Sequence, residues 1–214
     1  ECRMQKVKCK NKMKKIYLLI FGILTRIAIQ AQSADVFLIQ ANEKNKAYND
    51  ISIIFNYQMI NNSAGIYENI NGYASMKGSS YVMNIDGQEM ICDGTTLWTY
   101  LVDDEEVMIS EVTDDNNTSP IAIIDSFSQN ITASFVESDN PDIKIIEVKE
   151  NEGDTFETVR LHFDIKDLNI KKVHVIVGDG NEFIYEITDF KTNQNLPDSM
   201  FTFDETMHPN VEII

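Results

Sequence analysis

From Ile51 onward, apolar and polar residues take turns. Ile51, Ile53, Phe55, Tyr57 and Met59 alternate with Ser52, Asn56 and Gln58, and only Ile54 breaks the pattern. A period of two belongs to a half-buried β-strand, whose side chains point to opposite faces in turn. The same reading predicts strands over 66–76, 81–85, 89–92, 96–101 and 107–112. Asn61-Asn62-Ser63 and Gly78-Ser79-Ser80 supply turns between them. Asp86-Gly87 is a two-residue hairpin signal, because both residues tolerate the positive φ such a turn needs, and a second Asp-Gly follows at Asp93-Gly94. Six short strands at this spacing form an antiparallel meander. Further strands are predicted over 133–138, 143–150, 155–164, 171–177 and 182–190, with Gly178-Asp179-Gly180 turning between the last two, and a final short one over 200–203.

Two segments carry a helical period instead. Over 34–48, Phe37, Ala41 and Tyr48 fall on one side at steps of four and seven, while Lys44 and Lys46 point elsewhere. Near the middle, Ser119 offers an N-cap and Pro120 fits the first helical position, so the apolar stretch 121–127 reads as two turns of helix. No repeat of 20–50 residues and no low-complexity linker divides the chain. The expectation is one mainly β domain over 34–214: a long antiparallel sheet with one helix at its start and another near its middle.

Charge separates this domain from what precedes it. Residues 1–31 sum to +7, which leaves −23 for the remainder of a chain whose net charge is −16. Met13-Lys14-Lys15 is a short positive segment, 16–24 is a nine-residue apolar run, and 28–33 supplies small and polar residues. That is the layout of a secretory signal peptide. Nine helical residues at about 1.5 Å each fall well short of a ~30 Å hydrocarbon core, and Arg26 interrupts the run, so a membrane anchor is the weaker reading. Residues 1–33 are therefore expected to be an upstream extension and a leader, with Met13 the start and cleavage after Ala31 or Ser33. Export would place the domain outside the cytoplasm and leave it with Cys92 alone, expected as a buried small hydrophobe.

An acidic surface repels phosphates, which argues against a nucleic-acid partner and against direct adhesion to an anionic membrane. His162, His174 and His208 are isolated from one another and from cysteine, so no zinc spacing exists and structural roles are expected. The acidic turns at 103–106 and 114–117 lack the frame of a calcium loop. No nucleophile elbow, zinc-protease helix, dinucleotide or phosphate loop occurs. The sequence thus predicts no enzyme, no catalytic residue, no metal and no cofactor. Its informative residues are apolar. Seven methionines follow the leader, at positions 59, 76, 83, 90, 108, 200 and 207, and methionine adapts to irregular apolar shapes. An ordinary filled core and a lipid-sized cavity between sheet and helices both accommodate this composition.

Three segments together bear a resemblance. Asp93-Gly94-Thr95-Thr96-Leu97-Trp98-Thr99-Tyr100, followed by a turn and Val107, resembles the D-G-x-x-L-W-x-Y segment of the periplasmic outer-membrane lipoprotein carrier (LolA) family. Ser119-Pro120-Ile121-Ala122-Ile123-Ile124 is similar to that family's lid helix, and Met200-Phe201-Thr202-Phe203 with Pro209-Asn210-Val211-Glu212-Ile213 to its tail. The order and spacing extend over 34–214. The resemblance implies an open half-barrel of antiparallel strands whose apolar concave face is covered by helices. It implies a monomeric periplasmic carrier that shelters the acyl chains of lipidated proteins, taking them from an inner-membrane lipoprotein-releasing transporter to an outer-membrane acceptor. On this reading Ile53, Phe55, Tyr57, Tyr81, Met83, Ile85, Trp98 and Tyr100 line the cavity, and Pro120, Ile121, Ile123, Ile124 and Phe127 form the lid. Family members often carry an arginine after the lysine of the second strand, where it helps hold the empty cavity closed. Gly78 stands there in this chain, leaving Lys77 as the neighbouring cation. Two other readings remain beside the carrier: a related module binding free lipid, glycolipid or pigment, and a ligand-free structural or sensory module.

Overall fold

The computed structural model describes residues 33–113, 131–150, 158–178 and 180–214. The expected leader and the expected lid helix with Pro120, Ile121, Ile123, Ile124 and Phe127 lie outside the described residues. Helix α1 spans Ala34–Lys46. The strands are β1 (Ile51–Asn61), β2 (Ile66–Lys77), β3 (Ser80–Ile85), β4 (Gln88–Cys92), β5 (Thr96–Leu101) and β6 (Glu106–Glu111). They continue with β7 (Ile131–Val136), β8 (Ile143–Glu150), β9 (Thr158–Asp164), β10 (Ile170–Ile176), β11 (Asn181–Thr192) and β12 (Glu212–Ile213). All twelve join one open sheet in the order β12-β6-β5-β4-β3-β2-β1-β11-β10-β9-β8-β7. Pairing is antiparallel except for β12, which runs parallel to β6. The architecture is the mainly β, open antiparallel sheet the sequence predicts.

The final strand expected over 200–203 is a correction. Asp198–Phe201 is a 3₁₀ turn, with Met200 N–H donating to Pro197 C=O at 3.1 Å. This segment crosses the face of the sheet rather than its edge. Phe201 and Phe203 can therefore bury their rings, but the backbone has no ladder to join. The edge pairing is made later by Glu212 and Ile213, a strand too short for periodicity to reveal.

The two halves of the sheet meet where β1 pairs with β11, with Phe55 opposite Ile187 and Tyr57 opposite Tyr185. The register slips between Ile54 and Phe55, which leaves Thr188 as an extra residue on β11. Its hydroxyl donates to Ile54 C=O at 3.1 Å. Such a bulge bends its strand and adds right-handed twist, which helps a sheet this wide to curl.

Curling leaves a concave and a convex face, and each is partly covered. On the concave face α1 lies over the β7–β10 end. Ser33 caps the helix by accepting from Val36 N–H at 3.3 Å. Asp35 in the first turn and Lys44 and Lys46 in the last match the helix dipole. The expected face is buried: Phe37 and Ala41 join Ile146, Val148, Val159 and Leu161 in one core. Phe37 also meets Phe163 edge-on at 5.5 Å between ring centroids. Tyr48, past the helix end, packs instead with a second core of Ile51, Met76, Tyr81, Cys92 and Leu97. Cys92 is 1% exposed, and burial pushes its thiol pKa up. That is the inert hydrophobe expected.

The convex face of β3–β6 has a core of its own. Val82, Ile91, Tyr100 and Val107 pack beneath Phe201 and Phe203 of the C-terminal segment. Asp50, 2% exposed, holds the start of that segment. Its carboxylate accepts from Gln194 N–H at 2.7 Å and Leu196 N–H at 3.2 Å. Burial alone pushes the Asp50 carboxyl up, but these N–H groups and nearby Lys77 outweigh it and hold the pKa low. Lys77 Nζ donates to Leu196 C=O at 2.8 Å and to Asp198 Oδ1 at 2.6 Å.

An apolar trough on the concave face

Between the core under α1 and the core around Ile51, the described residues leave the concave face open. Strand alternation places Ile53, Phe55 and Tyr57 of β1 on this face. Ala74 lies opposite Ile53 on β2, Met83 opposite Ala74 on β3, and Met90 opposite Met83 on β4. Val173 lies opposite Tyr185 on the other side of β1. These residues, with Ile70, Ile85, Ile170, Val175 and Ile187, line a trough of 610 Å³ spanning six adjacent strands. Glu68, Asp86 and Gln88 are its polar members.

Aromatic rings shape the floor. Tyr57 and Tyr185 lie 5.1 Å apart at 43°, and Phe55 sits 5.9 Å from Tyr185. Gly72, buried on β2 opposite Phe55, gives that ring room: a Cβ there would come within 2.5 Å of Phe55 Cζ. A glycine inside a central strand often marks such a close approach. Burial pushes the Tyr185 phenol up to about 12, with neighbouring Tyr57 adding to it. Burial raises Tyr57 too, with Glu68 and Asp86 contributing. Both phenols therefore stay neutral at any physiological pH.

A folded pKa above the unfolded value means stability that is complete below pH ~10 and is lost as pH rises toward 12. Spectrophotometric titration of Tyr185→Phe, subtracted from that of the parent, should remove one phenol ionising near 12. Removal of a phenol titrating near 10 instead would mean that Tyr185 is not buried as described.

Five of the eight sequence-predicted cavity residues are brought together here: Ile53, Phe55, Tyr57, Met83 and Ile85. Tyr81 faces the same way but belongs to the filled core beyond the trough's end, 2% exposed. Trp98 and Tyr100 are a correction. Trp98 pairs with Ile91, which pairs with Val82, and all three point to the convex face. Tyr100 packs there against Phe203 at 5.5 Å and His208 at 4.6 Å. Both rings cover the sheet's back under the C-terminal segment and do not line the trough. Sequence reasoning missed the wall from β10 and β11: Ile170, Val173, Val175, Tyr185 and Ile187. The alternation of Val173 with Val175 was the available signal.

Lys77, the cation beside Gly78, also points away from the trough, into the C-terminal segment. His162 and His174 are diagonal neighbours on the β9–β10 ladder, away from His208: His174 Nε2 lies 2.8 Å from Glu182 Oε2, and His208 stacks on Phe203 at 4.9 Å. His162 is held down to about 4, first by burial and then by Lys172, His174 and Arg160. Among the described residues no group of His, Cys, Asp and Glu could hold a metal ion. None of the described helices is long and apolar enough to cross a membrane.

No curated protein matches the sequence. Several solved structures are similar to it. An uncharacterized conserved protein from Thermus thermophilus superposes with a TM-score of 0.55 at 10% identity, over 83% of this chain and 96% of that one. A LolA superfamily protein from Nitrosomonas europaea gives 0.45 at 14% identity, over 81% and 99%. The Mycobacterium tuberculosis lipoprotein LppX gives 0.41 at 11% identity, over 77% and 97%. The sequence profile described as outer membrane lipoprotein carrier protein LolA matches residues 83–204, more than half of the chain. With the open sheet and its apolar concave trough, this match makes the chain a member of the LolA family of lipid- and lipoprotein-binding proteins.

Proposed function

We propose that this protein is a periplasmic carrier that shelters acyl chains of lipidated proteins in the concave trough and ferries them from the inner to the outer membrane. The observation that carries this reading is the 610 Å³ trough, walled by isoleucine, valine, methionine and aromatic side chains from six strands. At roughly 30 Å³ per methylene-sized group, that space holds about 20 such groups, the length of one long acyl chain. Each sheltered CH₂ contributes about 0.8 kcal/mol, so a 16-carbon chain has a gross transfer energy on the order of 10 kcal/mol. Unaided transit through water is slow on that scale. A carrier must also release its cargo, and apolar contacts without hydrogen bonds to the chain suit both steps. An inner-membrane lipoprotein-releasing transporter is the donor on this reading and an outer-membrane protein the acceptor, with the basic leader over 1–33 directing export. No bond is made or broken, and no cofactor is needed.

The domain over 34–214, incubated with a fluorescent acylated peptide and analysed by native mass spectrometry, should form a complex that an unacylated twin does not. Retention of neither acylated peptide nor free lipid would overturn the reading.

A further inference from the structure

The two ends of the trough differ. At one end the rung Ile53–Ala74–Met83–Met90 is wholly apolar. At the other, Glu68, opposite Met59, lies two residues beyond the Ile70–Tyr57 pair, and Gln88 pairs with Ile85 across the Asp86-Gly87 turn. Glu68 and Asp86 are therefore gathered at a single end, and both are solvent-exposed. They are the only charged residues among the sixteen described residues that line the trough, which include no lysine, arginine or histidine. Behind burial, both carboxylates raise the Tyr57 phenol. An apolar slot the size of one chain, ending in two carboxylates, is complementary to an amphiphile of matching design.

We propose that the trough takes a single-chain amphiphile whose head group is an ammonium ion, seated at the Glu68–Asp86 end. The inference rests on the acyl-chain trough of the carrier reading and adds a small-molecule ligand class beside the lipidated proteins. The chain lies along Phe55, Ile70, Ile187 and Met83 and reaches the apolar rung. The ammonium stays at the mouth, half in water, so neither carboxylate is stripped of solvent. A phosphate, sulfate or carboxylate head in the same place faces two like charges and finds no cation among the lining residues. Specificity of this kind comes as much from the repelled head as from the accepted one.

The test compares three tetradecyl amphiphiles, with trimethylammonium, maltoside and sulfate heads, each below its micelle concentration. Each displaces a fluorescent fatty-chain probe from the domain at low salt. The trimethylammonium head should bind up to about fivefold tighter than maltoside, the size of one solvent-exposed charge interaction. Sulfate should bind weakest. The preference should shrink toward unity at high salt and in the Glu68→Gln/Asp86→Asn pair. The Glu137→Gln/Asp139→Asn pair removes the same charge from exposed positions outside the trough lining and should keep the preference. Because all four carboxylates are exposed, the variants are expected to fold, which their melting curves check. Equal affinity for the three heads, or a preference that survives in the Glu68/Asp86 pair, overturns this inference while maltoside binding upholds the carrier reading. Failure of all three to displace the probe overturns the carrier reading and this inference with it.

Discussion

Phe201→Ala should lower the free energy of unfolding by about 3–5 kcal/mol, the usual cost of emptying a buried phenylalanine site. The ring is 2% exposed and packs with Val82, Ile91, Tyr100, Val107 and Phe203 on the convex face. The backbone that carries it is anchored upstream by the Asp50 carboxylate and by Lys77, so the segment has little freedom to collapse into the space left behind. A cavity that cannot relax gives the upper part of that range. Trp98 is the single tryptophan of the chain and packs against the same core, so its fluorescence reports the transition during urea denaturation. The trough lies on the opposite face, and affinity for an acyl probe should be unchanged at temperatures where the variant is folded. A cost under 1 kcal/mol, or loss of probe binding by the folded variant, would contradict this division of labour between the two faces.

That division is also where sequence reading reaches its limit. Alternation correctly shows that Trp98 and Tyr100 share a face, just as it does for Ile53, Phe55 and Tyr57. It does not say which face. In a sheet with one wet side, hydrophobicity decides the question. Here β3 to β5 are apolar on both sides, because the C-terminal segment dries the convex one: Val82, Ile91 and Trp98 face one way, and Tyr81, Met83 and Cys92 the other. Local pattern carries no information about a cover that arrives about 100 residues later. The same holds for the trough's second wall. Tyr185 and Ile187 reach it only through the β1–β11 pairing, whose partners are about 130 residues apart, and a slipped register at Thr188 hides their phase. The hairpin joined by Asp86-Gly87 was legible because it is closed by its own sequence. Asp86 and Gly87 take the positive φ values of 53° and 73° that their pairing predicts. The family motifs fared differently from the roles attached to them. Leu97, Trp98 and Tyr100 are where the resemblance sets them in the chain, but Trp98 and Tyr100 support the back of the sheet.

Gly72→Val should disturb stability and chain binding together. The position is a buried glycine in a central strand, and an added Cβ would lie 2.5 Å from Phe55 Cζ and 2.8 Å from the backbone oxygen of Asn84. The ring can give way by turning, but Asn84 C=O belongs to β3, next to β2 in the sheet, and cannot move without disturbing that pairing. Overpacking of this kind costs 1–3 kcal/mol, and the branched valine against backbone puts the expected loss at about 3 kcal/mol. The displaced Phe55 ring has Tyr185 5.9 Å away on one side, so its path leads into the trough. Losing room for about two methylenes of a bound chain would weaken an acyl probe roughly tenfold, since each buried CH₂ is worth about 0.8 kcal/mol. The diagnostic measurement is a double-mutant cycle with Phe55→Ala. Removing the ring supplies the space that valine lacks, so the pair should cost less than the sum of the singles by 0.5–3 kcal/mol, the range for residues in contact. Strict additivity would mean that Gly72 does not make room for Phe55. Full probe affinity in Gly72→Val, despite its lowered stability, would mean that Phe55 does not form the floor against which the chain packs.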